Sequence, residues 1–337
     1  MDKDTLFSSF GKWVAPLNSN IIHNWQCTSS LDRYVKKLDT LVFLLIFVEA
    51  QLHQRKGLRE IMRVIQNDED FQQAIGITSI SASQLSRKNN NLDPEVLQAI
   101  LCDLMTQLHR LRSPVSSRLG NVKIIDSTTI SLCLNKYKWA TFRKTKAGVK
   151  LHLRVTFMDP DHVYPDKAVV TPAKPADHTQ MDVLIDESDA TYLMDRGYLN
   201  YSKYDDYCER GIRFVSRLKD NAVIEEVEEL PIATGSKIIR DVKVVLGKGK
   251  KRMKNKLRMI ETMDGRGKPV RIITNRFDLT AEEIGDLYRS RWQIEIFFRW
   301  VKQNLKLTRF YGTEEKAVMN QIWACLIAYC LLLLMKL

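Results

Sequence analysis

Asn121-Val-Lys-Ile-Ile-Asp-Ser-Thr-Thr-Ile-Ser-Leu132 (NVKIIDSTTISL) is the stretch on which the fold turns. Val122, Ile124 and Ile125 lead into Asp126, and Thr128, Ile130 and Leu132 continue with period two, as in a strand entering a core. Further along, KLHLRVTFM, HVYPDKAVV, ATYLMD and IRFVSRLK also read as strands, with helices around Met181 to Glu187 and Tyr201 to Glu209. Strands first, then alternating helices, predict a mixed-sheet α/β core. Val223 to Val227, Lys237 to Leu246, Leu257 to Thr262 and Val270 to Thr274 are strand-like runs between the turn signals TGS, GKGK and MDGRGK. They predict an inserted β subdomain over residues 222–270. Upstream, residues 1–115 read as helices. Leu38 to Leu52 is an apolar run too long for a strand, Gly57 to Met62 opens another helix, and Ser81, Ser83 and Ser86 supply polar caps.

Asp126 has two acidic counterparts. Tyr192, Leu193 and Met194 precede Asp195, and Arg196-Gly197 then breaks the run, which places this aspartate at a strand end. The third acid lies in YRSRWQIEIFFRWVK (Tyr288 to Lys302). As one helix at about 100° per residue, this stretch puts Tyr288, Arg291, Glu295 and Lys302 on one arc of roughly 60°. Leu287, Ile294, Phe297, Val301 and Leu305 gather on the other side. The acids stand 69 and 100 positions apart, so only a tertiary fold could bring them together. Converging carboxylates repel unless a cation neutralises them, and Mg²⁺ is the usual hard, oxygen-loving choice. Two such ions about 3.5–4 Å apart would activate an attacking hydroxyl and stabilise the leaving oxygen of a phosphodiester. Taken singly, each aspartate reads equally well as a cap or turn residue.

The spacing Y-x2-R-x3-E-x6-K resembles the YREK signature of the IS4 family of DDE transposases. The contexts D-S-T at Asp126 and D-x-G-Y at Asp195 resemble the first two aspartates of that family, and FVSRLKDN and IITN resemble family strands. The likeness runs from about residue 30 to the end. It implies an RNase H-like catalytic core in two parts, residues 116–221 and 271–337. A helical N-terminal module (1–115) that binds DNA ends and the β insertion (222–270) complete the organisation. Asp126, Asp195 and Glu295 would hold Mg²⁺, with Mn²⁺ as a substitute. The implied partners are the double-stranded terminal inverted repeats of an insertion sequence and its target DNA, handled by a homodimer through a hairpin intermediate. Tyr288, Arg291 and Lys302 would grip the DNA end. In such relatives a tryptophan of the β insertion often stacks on a flipped base; this chain has none between Asn221 and Arg271. The open alternatives are a catalytically silent or domesticated DNA-binding protein, and an RNase H-like nuclease.

Composition agrees with an anionic partner. Lys and Arg number 52 against 40 Asp and Glu, a net charge of +12. No acidic residue occurs from Ser127 to Met158, a window holding Lys136, Lys138, Arg143, Lys144, Lys146, Lys150 and Arg154 among Tyr137, Trp139 and Phe142. Lys144, Lys146 and Lys150 are candidates for phosphate contact. Lys150 and His152 alternate in GVKLHL and resemble a family K-x-H element, so His152 is a candidate for DNA or metal-site support. GKGKKRMKNKLR (Gly247 to Arg258) is a second basic cluster, and Arg87 and Lys88 could touch DNA in helix-turn-helix fashion. His178 reads as a helix cap. The six cysteines form no C-x-x-C and no His pair has ligand spacing, which argues against zinc and for a reducing compartment, the cytoplasm. The start, MDKDTLFSSF, lacks a signal-peptide pattern. Ile322 to Met335 is apolar but short of the roughly 20 residues a membrane span needs, so a buried core helix is expected.

Overall fold

In the computed structural model, which describes residues 10–28, 31–112, 119–157, 162–265, 267–305, 307 and 309–336, NVKIIDSTTISL is strand β1 (Asn121–Leu132). The expected domain boundary at 115/116 lies outside the described residues. Two units emerge: Met1–Arg112 with Thr129–Lys150 and Phe297–Leu337, and Ser113–Thr128 with Leu151–Ile296. The boundaries between these residue sets include Thr128/Thr129, inside β1, and Lys150/Leu151.

Among the described residues, ten strands form one mixed sheet. After β1 come β2 (Thr141–Arg143), β3 (Lys146–Phe157), β4 (Val163–Pro172), β5 (Ala190–Met194), β6 (Arg213–Arg217), β7 (Ile224–Glu229), β8 (Ile238–Leu246), β9 (Leu257–Met263) and β10 (Pro269–Thr274). Their spatial order is β2-β3-β1-β5-β6-β10-β9-β8-β7, with β4 on β3. β1, β5 and β6 are parallel, in register from Asn121–Ala190 to Ile125–Met194 and from Thr191–Arg213 to Met194–Ser216. Beyond them β10, β9, β8 and β7 are antiparallel. The strands of residues 222–270 therefore prolong the central sheet through β10 rather than build a separate one. Asn275 fastens that junction: its Oδ1 accepts from Phe214 N (3.0 Å) and its Nδ2 donates to Ile212 O (2.8 Å).

The central strands are apolar on both faces, as parallel strands buried on both sides must be, and Ile124, Ile125, Tyr192, Leu193, Met194, Phe214 and Val215 are essentially inaccessible. One charged group is buried among them. Lys123 donates to Asp166 (2.6 Å), which also accepts from Arg154 (2.9 Å), and Asp186 and Glu187 complete the network. Arg154 is thus spent on interior pairing and leaves the basic window that composition suggested.

The helical unit holds α1 (Phe10–Val14), α2 (Ser19–Thr28), α3 (Thr40–Leu52), α4 (Leu58–Asn67), α5 (Glu69–Ile75), α6 (Ala82–Asn91) and α7 (Pro94–Leu111). Leu38 to Leu52 becomes α3, capped by Asp39, whose side chain accepts from Val42 N (2.8 Å). It is apolar all round because it is buried nearly all round. Between the sheet strands come α8 (Met181–Leu184) and α9 (Tyr201–Glu209), and after β10 come α10 (Ala281–Ser290), α11 (Trp292–Asn304) and α12 (Glu315–Lys336). α12 is long and apolar enough to cross a bilayer, yet most of it is buried against α7, α3 and α6. It is a core helix.

Candidate active site

Parallel strands deliver the first two acids. Ile125 and Met194 form the last rung of the β1–β5 ladder, so Asp126, midway along β1, and Asp195, just past the end of β5, follow that rung on neighbouring strands. Carboxyl ends of parallel strands are where open α/β sheets hold their ligands. Both side chains are half-buried. The Ser127 amide donates to Asp126 Oδ1 (2.7 Å), and Ser127 Oγ donates to Asp177 Oδ1 (2.8 Å), which ties the strand to the turn Asp177–Gln180.

Glu295 arrives on α11 in a way the single-helix expectation did not contain. Tyr288 to Lys302 is two helices, α10 and α11, joined at Arg291, where the backbone tightens to i→i+3 closure (Arg291 N to Tyr288 O and Ile294 N to Arg291 O, both 3.2 Å). Arg291 keeps right-handed helical dihedrals, so the turn bends the path without reversing it. The apolar stripe is buried as expected: Leu287, Ile294, Phe297, Val301 and Leu305.

Arg291 points inward to the acids. Its Nη1 donates to Asp126 Oδ2 (3.3 Å) and its Nη2 to Glu295 Oε1 (2.6 Å), while the guanidinium lies 5.8 Å from the Tyr288 ring centroid. Tyr288 Oη in turn donates to Asp195 Oδ1 at 3.5 Å. The two residues thus connect all three acids. Burial, with the charges of Asp195 and Glu295 adding to it, pushes the Asp126 carboxyl up to about 6, against the opposing pull of the Ser127 amide and Arg291.

Three hard oxygen donors suit a divalent ion chemically. Among the described residues, however, no group of three acids, histidines or cysteines stands close enough to coordinate one. Arg291 occupies the position of the neutralising charge, donating to both Asp126 and Glu295.

Among the described residues, cavities lie beside Asp195 and beside the Tyr288–Arg291 pair. One of about 510 Å³ runs past Asp195 between Arg196 and Lys219. The other, about 850 Å³, lies along α10 and the edge of β8 to β10, where Arg217, Tyr288, Arg291 and the exposed Trp292 face it. Arg217, Asp177 and Tyr198 were not singled out in the sequence. Tyr198 stood in the D-x-G-Y context; here it is buried near Asp126, Asp177 and Asp195, and burial raises its hydroxyl pKa well above the ordinary value. Nothing in the local sequence marks Asp177.

A match to the model of the Transposase DDE domain covers residues 118–331 of this chain, the segment that carries all three acids. The chain belongs to the DDE transposase family. It is a DNA-cleaving and strand-transfer enzyme of the kind insertion sequences encode, and enzymes of this family use divalent metal. Residues 6–78 match a second model, described only as a domain of unknown function (DUF4372). The transposase is 31% identical over 288 residues to "Probable transposase for insertion sequence element IS5377" of Geobacillus stearothermophilus, covering 85% of this chain and 74% of that one. It is 33% identical over 73 residues to "Transposase InsG for insertion sequence element IS4" of Escherichia coli, 20% of this chain and 16% of that one.

The remaining candidates of the transposase separate by exposure. Lys144 and Lys146 are exposed at the β2–β3 turn, and Lys150 is half-buried on β3. Lys302 is half-buried on the part of α11 that belongs to the helical unit, where burial lowers its pKa. His152 corrects its expectation: it is fully buried and hydrogen-bonds Thr171 Oγ1 (3.0 Å), so it offers no surface to a phosphate. The second basic cluster is partly consumed. Arg258 is buried on Asp241 (2.6 Å), Arg252 pairs with Glu225 (2.9 Å), and the acidic strand β7 also engages Arg240 and Lys243.

Proposed function

We propose that this transposase is of the IS4 type and acts on the terminal inverted repeats of its own element, with Asp126, Asp195 and Glu295 as the metal-holding acids and Mg²⁺ as the ion. The observation that carries this reading is the connection of all three acids by Arg291 and Tyr288. Mg²⁺ would supply Lewis-acid stabilisation of the phosphodiester oxygens, and Mn²⁺ could replace it. The chain's own residues do the rest. Arg291, freed from Asp126 and Glu295, is placed to clamp a phosphate, and Tyr288 to contact the neighbouring one. Lys302, Lys150, Lys144 and Lys146 hold other stretches of the DNA backbone. Water hydrolyses one phosphodiester and frees a 3′-hydroxyl; that hydroxyl attacks the opposite strand's phosphodiester, closing a hairpin and expelling the 3′-hydroxyl of the flanking DNA. A second water reopens the hairpin, and the regenerated 3′-hydroxyl attacks a target phosphodiester, displacing a target 3′-hydroxyl. Two ends must be held together, so a homodimer is the expected working form. The stacking ring that the β insertion lacks is supplied by Trp292, which is half-exposed in the cavity shared with Tyr288 and Arg217.

The deciding experiment incubates the full chain with duplexes cut from both ends of its element, with Mg²⁺, Mn²⁺, Ca²⁺ or EDTA. Cleavage at the element boundary with Mg²⁺ or Mn²⁺, and bound but uncut ends with Ca²⁺, are expected. Cleavage in excess EDTA overturns the metal assignment. End binding without cleavage under any of the ions returns the catalytically silent reading.

A further inference from the structure

We infer that Asp177 is a positioning residue for strand cleavage, bracing the segments that carry Asp126 and Asp195. The inference rests on the reading of those two aspartates as metal-holding acids. Register along β1 and β5 fixes where the backbone of each aspartate lies, but it leaves the direction of a carboxylate open. On β1 the next residue sets that direction: the Ser127 amide donates to Asp126 Oδ1 (2.7 Å). Ser127 is itself held from 50 positions away, its Oγ donating to Asp177 Oδ1 (2.8 Å). A serine whose hydroxyl is committed to a carboxylate keeps one rotamer and steadies the backbone on which its own amide sits. Asp177 thus reaches Asp126 through a single intermediate residue.

The same carboxylate meets the segment of the second aspartate. Tyr198 N donates to Asp195 O (3.0 Å), which closes the chain into the short turn Arg196–Tyr198. Gly197 lies on that turn against Asp177: a Cβ at residue 197 would come within 3.3 Å of Asp177 Oδ2. Glycine lets the turn approach the carboxylate more closely than a side chain would. Tyr198, buried beneath, brings its ring among Asp126, Asp177 and Asp195, with its hydroxyl beside Ser127. Asp177 stands on a firm base. Its turn, Asp177–Gln180, is closed by Thr179 N and Thr179 Oγ1, both donating to Ala176 O (3.0 and 2.7 Å). α8 follows at once and buries Met181 and Leu184. Asp177 therefore acts through its neighbours, with one oxygen on the residue after Asp126 and the other facing the residue two beyond Asp195. Supporting partners of this kind change metal affinity or activity by roughly 10–100-fold when removed.

The test follows three quantities in the full chain: single-turnover cleavage of an element-end duplex across a Mg²⁺ series, end affinity in EDTA, and the melting shift that Mn²⁺ alone produces without DNA. Asp177→Ala and Ser127→Ala should each raise the half-saturating Mg²⁺ by about tenfold or more and shrink the Mn²⁺-induced melting shift, with end affinity unchanged. The double variant should be no worse than either single one, because both remove the same hydrogen bond. Asp177→Asn should recover part of the loss, since an amide oxygen still accepts from Ser127 Oγ. Gly197→Ala should slow cleavage in the otherwise wild-type chain and add nothing to Asp177→Ala, which has no carboxylate to press on. If Asp177→Ala fails to fold, Ser127→Ala and Asp177→Asn carry the comparison. Lower melting temperatures with a wild-type response to Mg²⁺ and Mn²⁺, or fully additive losses in the double variant, overturn the brace alone. A wild-type chain that cleaves without metal and does not shift its melting with Mn²⁺ overturns the metal reading and this inference together.

Discussion

Ile125 is paired with Met194 as the final rung of the parallel β1–β5 ladder, so the two aspartates that follow are held on neighbouring chain segments by backbone register alone. Their placement needs no side-chain contact, and an amide substitution should leave it intact. Asp126→Asn, Asp195→Asn and Glu295→Gln are each expected to reduce strand cleavage to background while element-end binding stays close to wild type. Cleavage assays beside binding isotherms check this; residual cleavage in any one variant removes that residue from the metal site.

Arg291 is the counter-charge of Asp126 and Glu295. Arg291→Gln should destabilise the metal-free chain by about 1–3 kcal/mol, because it leaves half-buried carboxylates without their donor. Mg²⁺ should then raise the melting temperature of the variant more than that of the wild type. Arg291→Lys should restore only part of end binding, since a point charge replaces a two-pronged fork. Equal Mg²⁺-induced shifts in variant and wild type would show that the ion and the guanidinium do not compete.

Burial separates the basic candidates. Lys144→Gln and Lys146→Gln, both at exposed positions, should each reduce the log–log salt slope of DNA binding by about 0.7–0.9. His152→Ala should leave that slope unchanged and instead lower stability by about 1–3 kcal/mol, the effect of emptying a buried, hydrogen-bonded position. A salt series and a denaturant titration on the same samples distinguish the two outcomes.

Asp32 ties a pH dependence to the helical unit. Burial pushes its carboxyl up, but the hydrogen bonds from Lys88 and Thr40 and the Lys88 charge outweigh that and hold it below its ordinary value of 3.8. A depressed folded-state value stabilises the fold above the unfolded value, and the contribution is lost as pH falls through the folded one. Asp32→Asn should therefore be less stable than wild type by about 2 kcal/mol at neutral pH. The gap should persist down to about pH 5 and close as the pH drops below the ordinary aspartate range. A gap that does not change with pH would mean that Asp32 acts through shape and not through its charge.

Much of the fold is legible along the chain because burial imposes a period. Alternation around Asp126 marks β1, the unbroken apolar run Leu38 to Leu52 marks a helix with no exposed face, and Ile322 to Met335 marks the inside of α12. The acids could be picked out for a related reason: each ends or interrupts an apolar run, where an unpaired charge requires an explanation.

What residues 1–337 determine by themselves is therefore which positions face inward and which three acids stand out; what those acids and cations touch was decided by the tertiary structure. Arg291 and Asp126 are 165 positions apart, and Lys88 and Asp32 are 56 apart. No periodicity connects such pairs. A basic residue looks the same in the chain whether it ends in solvent, like Lys144, or in a buried ion network, like Arg154. The choice depends on whether a carboxylate from a distant strand arrives close enough to offset the desolvation of both charges, and only packing brings it there.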